Sequence, residues 1–264
     1  MKLGFIGLGN MGSAILGGIL KQGNVKPQDI VVTDKSPIAV KKAAEMMKVR
    51  TVPENTLVAE LADVIFLAVK PQIYEPVLRE IASKVKAGAI IVSIAPGKKI
   101  EWIDGLLGGG KKIVRCMPNT PALVGAGCTG VCANELVSEQ EMKEVMVLLN
   151  SFGKAYPVPE SLMDTVVGVS GSSPAYVFMM IEAMADAAVS DGMPRPQAYE
   201  FAAQAVYGSA KMVLESKLHP GALKDMVCSP GGTTIEAVRV LEEKGFRSAI
   251  IEAQKACVDK SKNM

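Results

Sequence analysis

Short apolar runs alternate with longer stretches of helical period through the first half of the chain. Leu3, Phe5 and Ile6 open the series. "DIVVTD" (29–34), "ADVIFLAV" (62–69), "GAIIVSIAP" (88–96) and "KKIVRCMPN" (111–119) continue it with β-branched strand character. Between them, "PIAVKKAAEMM" and "QIYEPVLREIASKV" read as helices. Strands alternating with helices predict an α/β fold built on a parallel, doubly wound sheet of the Rossmann kind. A further pair of strands, "GCTGVCAN" (127–134) and "KAYPVP" (154–159), brackets the helical "SEQEMKEVMVLLNSFG". Ser138 with Glu141 three residues on makes a capping box that opens that helix.

After about residue 160 the strand pattern stops. "SPAYVFMMIEAMADAAVSDGM" is rich in alanine and methionine and apolar around most of its circumference, which predicts a helix buried on several sides. "RPQAYEFAAQAVYGSAKMVLESK", "HPGALKDMV", "TTIEAVRVLEEKG" and "RSAIIEAQKACVDKSK" follow as helices, with Pro196 placed to open one and Gly245 to stop another. The pattern therefore divides the chain into a dinucleotide-binding domain, 1–158, and an all-helical domain, 159–264, with Pro157 and Pro159 at the boundary.

The opening "MKLGFIGLGNMGSAILGGIL" carries one lysine and a long apolar, glycine-rich run. Six glycines interrupt it within 18 residues, and Asn10 and Ser13 sit near its middle. That argues against a signal peptide or a membrane span. Gly7, Gly9 and Gly12 instead spell G-x-G-x-x-G between a short strand and a helical run, the context that gives this spacing its meaning.

Composition narrows the function classes. The chain is 49% hydrophobic, with a mean hydropathy of +0.26, ample for a core and rich enough to suggest either buried subunit contact or a helical interior. Its net charge of +2 forms no basic stripe and aromatics are only 5%, so nucleic-acid binding gains no support. No later segment is expected to span a bilayer. Cys116, Cys128, Cys132, Cys228 and Cys257 are an odd set without C-x-x-C, most of them in apolar runs. They predict reduced, mostly buried thiols and a cytoplasmic protein. With one histidine in the chain, Cys128 and Cys132 have no partners for a metal site, and none is expected. That histidine, His219, stands just before Pro220 and is expected to cap or pack a helix rather than act as an acid–base catalyst.

In this fold the ligand lies beyond the carboxyl ends of the strands. Gly7 permits the turn, Gly9 a close approach to pyrophosphate, and Gly12 the packing of the helix on the sheet. "AVKPQ" (68–72) and "IAPG" (94–97) end strands on the same edge and either leave room for ribose and nicotinamide or are ordinary turns. Asp34, 22 residues after Gly12, occupies the place of an acid that accepts the ribose 2′-OH of NAD. Lys35 and Ser36 follow at once and suit a 2′-phosphate. The expectation is NADPH or NADH, with the choice open. In the helical domain, "KDMVCSPGGTTIEAV" (224–238) runs a flexible turn into a helix. The amides of Gly231, Gly232, Thr233 and Thr234 would there await an acceptor such as a carboxylate, unless Thr233 caps the helix itself.

"DMVCSPGGTTIEAVRVLEEKGFR", "GVSGSSPAYVF", "VRCMPNTPALVGAG", "FLAVKPQ" and "IGLGNMG" together closely resemble the pyrroline-5-carboxylate reductases, in order and over almost the whole chain. The resemblance implies a Rossmann domain followed by a helical dimerisation domain. It also implies NADPH- or NADH-dependent reduction of 1-pyrroline-5-carboxylate to proline, in a homo-oligomer of at least two subunits with its active site near their interface. By motif it places Ile6, Gly7, Leu8, Gly9, Asn10 and Met11 on the dinucleotide phosphates and Asp34 to Pro37 at the adenosine ribose. Asn55 would touch the cofactor, and Ala68, Val69, Lys70 and Ala95 would line it toward the nicotinamide. Ser229, Thr233 and Thr234 would hold the substrate, with the Thr234 hydroxyl at the ring nitrogen. The family often has a non-acidic residue where Asp34 stands. The rival readings are a β-hydroxyacid dehydrogenase, which would use a lysine such as Lys70, and a nicotinamide-binding redox sensor without chemistry.

Overall fold

The computed structural model describes residues 1–263. In chain order the regular elements of the first unit are β1 (Leu3–Ile6), α1 (Asn10–Gln22), β2 (Ile30–Thr33), α2 (Pro37–Lys42), β3 (Arg50–Thr51), α3 (Asn55–Leu61), β4 (Val64–Leu67), α4 (Tyr74–Ile81), β5 (Ile90–Ser93), α5 (Ile100–Leu106), β6 (Lys112–Met117), β7 (Gly127–Ala133), α6 (Glu139–Leu149), β8 (Gly153–Pro157) and α7 (Met163–Val166). The eight strands form one sheet in the order β3-β2-β1-β4-β5-β6-β7-β8. Strand side chains alternate between two apolar layers, as a pleated strand requires. Phe5, Val32, Phe66 and Val92 face α1 and α6, and the Phe5 and Phe66 rings stack at 4.8 Å. Val31, Ile65, Leu67 and Ile91 share the opposite layer with residues of α3, α4 and α5. Both faces are thus covered, the condition under which parallel strands are stable.

Three local expectations are modified. The sheet is parallel through β6, but β7 pairs antiparallel with β6, and β8 is parallel to β7. The connection from β6 to β7 is too short for a helical crossover, so the chain reverses; the next one contains α6, and direction is kept. Helix α2 ends at Lys42 and continues as a π turn, Ala43–Met47, closed by Lys48 in the left-handed region at φ 57°. The two-residue β3 carried no periodicity to find. The capping box of α6 is formed as expected: the Ser138 hydroxyl accepts from the Glu141 amide, and Glu141 accepts from the Ser138 amide.

By contact the first unit runs from Met1 to Ser172 and takes back the chain from Cys257 onward. The second unit, Ser173–Ala256, holds α8 (Ser173–Ser190), α9 (Arg195–Ser216), α10 (Pro220–Val227), α11 (Thr233–Glu243) and most of α12 (Phe246–Lys262). The division by contact thus falls 14 residues beyond the change of pattern at 158/159. Hydrogen bonds hold the extra segments in the first unit. Asn119 donates to the Ser170 carbonyl at 2.9 Å, and the Ser261 hydroxyl donates to Asp164 at 2.6 Å.

The expectation of an α8 buried on several sides is not met within one subunit. Of α8 only Ala185 is buried, while Phe178 and Met179 are 60% and 69% exposed. Phe201 and Tyr207 on α9 are similarly open. Periodicity reports that a helix is apolar all round but not whose atoms cover it. The helical run Glu160–Ser190 is also long and apolar enough to cross a membrane by length and composition, which corrects the expectation that no later segment would be.

Candidate active site

The sheet order reverses between β1 and β4, and loops leave the carboxyl ends of those strands in opposite directions. A crevice at such a switch point is where open α/β sheets bind ligands. Beyond β1 the chain turns at Gly7, whose φ of +101° favours glycine. A Cβ there would also stand 2.6 Å from the Ala68 carbonyl oxygen. A Cβ at Gly12 would lie 2.3 Å from the Gly7 carbonyl oxygen, so α1 approaches the turn only because that side chain is missing. Gly9, by contrast, faces open space. It is the N-cap of α1 and offers no side-chain acceptor, and the first turn of α1 holds no acid. The opening amides of this 13-residue helix therefore present a positive end that no side chain of the helix itself neutralises. Ile6, Gly7 and Leu8 are buried in the turn itself, Gly9 and Asn10 are exposed, and Met11 is half-buried.

Asp34 lies immediately beyond β2, and its carboxylate serves the backbone. One oxygen accepts from the Leu8 amide at 2.6 Å and the other from the Ser36 amide at 2.7 Å. The acid thus clasps the glycine turn to the loop that opens α2. Ser36 caps α2 by accepting from the Ala39 amide at 3.4 Å, and Lys35 is exposed. Leu8, Gly9, Asn10 and Ser36 border a cleft of about 340 Å³. Its other walls include Ser13, Lys42 and Leu123, none of which the sequence marks as a cofactor residue. Lys42 follows Ala39 by three residues on one helix face, a usable signal; Leu123 arrives from a distant turn and gave none. Asn55 opens α3, and its amide donates to Glu80 on α4 at 2.7 Å, so no bond of its side chain reaches the glycine turn.

On the other side of β1, β4 ends at Leu67 and is followed by half-buried Ala68 and Val69 and exposed Lys70. β5 ends at Ser93, followed closely by buried Ala95. Tyr74 lies fully buried behind both ends, with its hydroxyl donating to the Leu67 carbonyl at 2.7 Å. It too escaped the sequence reading. Asn119, in the "MPNTP" stretch, is buried and accepts from the Cys128 amide at 2.8 Å while donating to Ser170. It therefore joins two of the motifs that carried the resemblance, "VRCMPNTPALVGAG" and "GVSGSSPAYVF".

In the helical unit, His219 caps α10: its Nδ1 accepts from the Gly221 amide at 3.0 Å, as its place before Pro220 suggested. An accepting Nδ1 puts the ring proton on Nε2. Helix α10 leads into Ser229 to Gly232. Gly231 has φ +69°, and a Cβ on Gly232 would meet the Ser229 hydroxyl at 2.4 Å. The Gly232 amide donates to the Ser229 carbonyl at 3.0 Å, so that amide is already partnered, contrary to expectation. Gly232, not Thr233, is the N-cap of α11, and it supplies no side-chain cap. The amides that begin α11 at Thr233 and Thr234 therefore meet no side-chain acceptor among the described residues. Thr234 is half-buried, while Ser229 and Thr233 are exposed. Of the cysteines only Cys116 is fully buried and the other four are half-buried, fewer buried thiols than expected. Burial pushes the Cys132 thiol up to about 11.

A family model described as pyrroline-5-carboxylate reductase dimerisation matches residues 160–264, and one described as NADP oxidoreductase, coenzyme F420-dependent, matches residues 2–97. The chain is 56% identical over 263 residues to a pyrroline-5-carboxylate reductase of Escherichia coli, covering all of this chain and 98% of that protein. It is 35% identical to the solved pyrroline-5-carboxylate reductase of Coxiella burnetii, with a TM-score of 0.92 over 99% of this chain and 97% of that one. A Plasmodium falciparum pyrroline carboxylate reductase solved with NADP bound is 34% identical, with a TM-score of 0.91 over 100% and 97%. Identity at this level over the full length of both chains shows that the chain belongs to the pyrroline-5-carboxylate reductase family.

Proposed function

We propose that the protein reduces 1-pyrroline-5-carboxylate to L-proline with NADPH or NADH, the last step of proline biosynthesis. The observation that carries the reading is that α1 and α11 each start from a glycine turn, with Gly9 and Gly232 as N-caps that leave the first amides without a side-chain acceptor. The first fits a pyrophosphate and the second a carboxylate. A dinucleotide is compatible with the residues present, because Gly9 leaves open space where phosphate must approach closely. Leu8 to Met11 would hold the phosphates, Asp34 to Ser36 the adenosine ribose, and Ala68 to Lys70 with Ala95 the nicotinamide side. Bound there, the nicotinamide supplies hydride to the C=N carbon of the imine.

The protein's own residues do the rest. The amides of Thr233 and Thr234 anchor the substrate carboxylate, which fixes the ring, and such positioning can lower a barrier by several kcal/mol, on the order of 7 or more in favourable cases. The Thr234 hydroxyl donates to the ring nitrogen and helps it accept electron density. A threonine hydroxyl is too weak an acid to protonate the free imine, so the proton comes with the substrate as iminium or from water. The exposed apolar faces of α8 and α9 support a homodimer as the smallest active assembly, in place of a membrane contact, and the protein is assigned to the cytoplasm. No nucleic-acid partner is proposed.

The test follows loss of reduced-nicotinamide absorbance on adding 1-pyrroline-5-carboxylate, with NADPH and NADH in parallel. Turnover is expected with at least one of them. Thr234→Ala is expected to lower kcat by roughly 10- to 100-fold, the size of a lost charge-assisted hydrogen bond, and Thr234→Ser to restore most of it. Unchanged turnover in Thr234→Ala removes that role, and no turnover by an intact protein that binds both cofactors removes the reductase assignment.

A further inference from the structure

We propose that Tyr74 is a positioning residue for the nicotinamide half of the cofactor: its buried hydroxyl bridges the carboxyl ends of β4 and β5 and so sets the spacing of the loops that follow them. The proposal rests on the cofactor placement above and deepens it.

β4 and β5 lie together on one side of the β1/β4 switch point, and their ladder weakens where the loops that follow them leave the sheet. That weakening is visible. β4 and β5 pair in regular register from Val64↔Ile90 to Leu67↔Ser93. At the next rung, the Ile94 amide reaches the Leu67 carbonyl only at 3.5 Å. The Tyr74 hydroxyl enters this opening from the apolar layer beneath. It donates to the Leu67 carbonyl at 2.7 Å and lies 3.0 Å from the Ser93 hydroxyl, and the amides of Ile94 and Ala95 face the same oxygen. Burial drives the phenol well above its ordinary range, so at neutral pH it keeps its proton and remains a donor.

Tyr74 and Ser93 are both 0% exposed. A phenol oxygen placed so deep is costly unless it is hydrogen-bonded, and here it has two partners, the Leu67 carbonyl and the Ser93 hydroxyl. The bridge ties the residue before Ala68, Val69 and Lys70 to the residues before and at Ala95. It acts on one side of the crevice only. The adenosine side, with Asp34 and Ser36, is built on β1 and β2 and held by its own clasp. An oxygen removed at Tyr74 should therefore loosen one half of a dinucleotide and leave the other untouched. A merely destabilising change cannot produce that asymmetry.

The experiment compares wild type and Tyr74→Phe in direct binding titrations with the reduced dinucleotide that binds wild type more tightly and with ADP, which carries only the adenosine half. The expected result is a roughly five- to tenfold higher Kd for the dinucleotide and an unchanged Kd for ADP. Ser93→Ala, which removes the other arm of the bridge, should show the same pattern more weakly. Val77→Ala, a buried change one turn farther along the same helix that removes no hydrogen-bonding group, should lower the melting temperature without altering either Kd. An unchanged dinucleotide Kd in Tyr74→Phe, equal weakening of dinucleotide and ADP, or the same asymmetry in Val77→Ala would each overturn the proposal. Failure of wild type to bind any dinucleotide would instead count against the cofactor reading on which it rests.

Discussion

Replacing Asp34 by asparagine separates two duties that this residue combines. The carboxylate holds the Leu8 and Ser36 amides at 2.6 and 2.7 Å, short bonds of the charge-assisted kind. Leu8 is 6% exposed, so its amide has little recourse to water, whereas the Ser36 amide is exposed. Asparagine keeps one oxygen for the Leu8 amide and removes the charge; alanine removes both. A bond to a charged acceptor is worth about 1.5–3 kcal/mol, so Asp34→Ala should cost about 2 kcal/mol and Asp34→Asn less than about 1. In a domain of this size, about 2 kcal/mol corresponds to roughly 4–8 °C in Tm. The charge matters separately, because an acid at the end of β2 faces the adenosine ribose. Two unit charges ~6 Å apart repel by roughly 0.7–1.4 kcal/mol at an effective dielectric of 40–80, and a phosphate carries nearly two. Removing the acid should thus favour NADPH over NADH by about 1–2 kcal/mol, a five- to thirtyfold change in the ratio of their Kd values. Titration of both cofactors into wild type, Asp34→Asn and Asp34→Ala provides the assay, with melting curves alongside. An unchanged ratio in both variants would refute the reasoning and leave Asp34 as a clasp of the glycine turn alone.

Two further outcomes follow from packing and charge. The Lys112 ammonium beside Glu141, together with the Ser138 amide and hydroxyl, holds the Glu141 carboxyl at about 2, against 4.5 for a free glutamate. A depressed carboxyl stabilises the fold fully above about pH 4.5, and the contribution disappears as pH falls toward 2. After solvent screening of a partly exposed pair it amounts to about 1 kcal/mol. Urea midpoints should therefore drop more steeply between pH 5 and about 3 in wild type than in Glu141→Gln, and parallel curves would count against the pairing. The uncovered faces of α8 and α9 make stability depend on assembly, so Tm should rise with protein concentration over a hundredfold range. Phe178→Glu should shift sedimentation toward monomer, each lost phenylalanine burial costing about 1.5–3 kcal/mol; a wild-type Tm independent of concentration would argue against a dimer core there.

Local chemistry accounts for what could be read without coordinates. The strands of the first half announce themselves because a buried parallel strand is an unbroken apolar run, and α6 because Ser138 and Glu141 satisfy each other within one turn. The reversal at β7 was hidden because strand direction depends on the length of a connection rather than on either strand. The exposed circumference of α8 was misjudged for a related reason. An all-apolar helix must be covered, but sequence does not say whether the cover lies in the same chain.

The site divides along the same line. Gly7, Gly9 and Gly12 were legible because each solves a backbone problem within six residues: a positive φ, an open approach, a close contact. Gly231 and Gly232 were legible for similar reasons, although the partner of the Gly232 amide was not. Asp34 was found but half understood, because its spacing from Gly12 pointed to a ribose and nothing local pointed back to the Leu8 amide 26 positions earlier. Tyr74 and Asn119 were missed altogether. Each looks like an ordinary residue in its own segment and gains its role only when folding brings a carbonyl or amide of a neighbouring element within 3 Å. In the site proposed here the amides offered to ligand are announced by glycine, while the side chains that hold that backbone in place belong to other elements of the fold. A search for functional residues by motif will recover the first group and overlook the second, although a single oxygen in the second, such as the Tyr74 hydroxyl, can decide how well the first group binds.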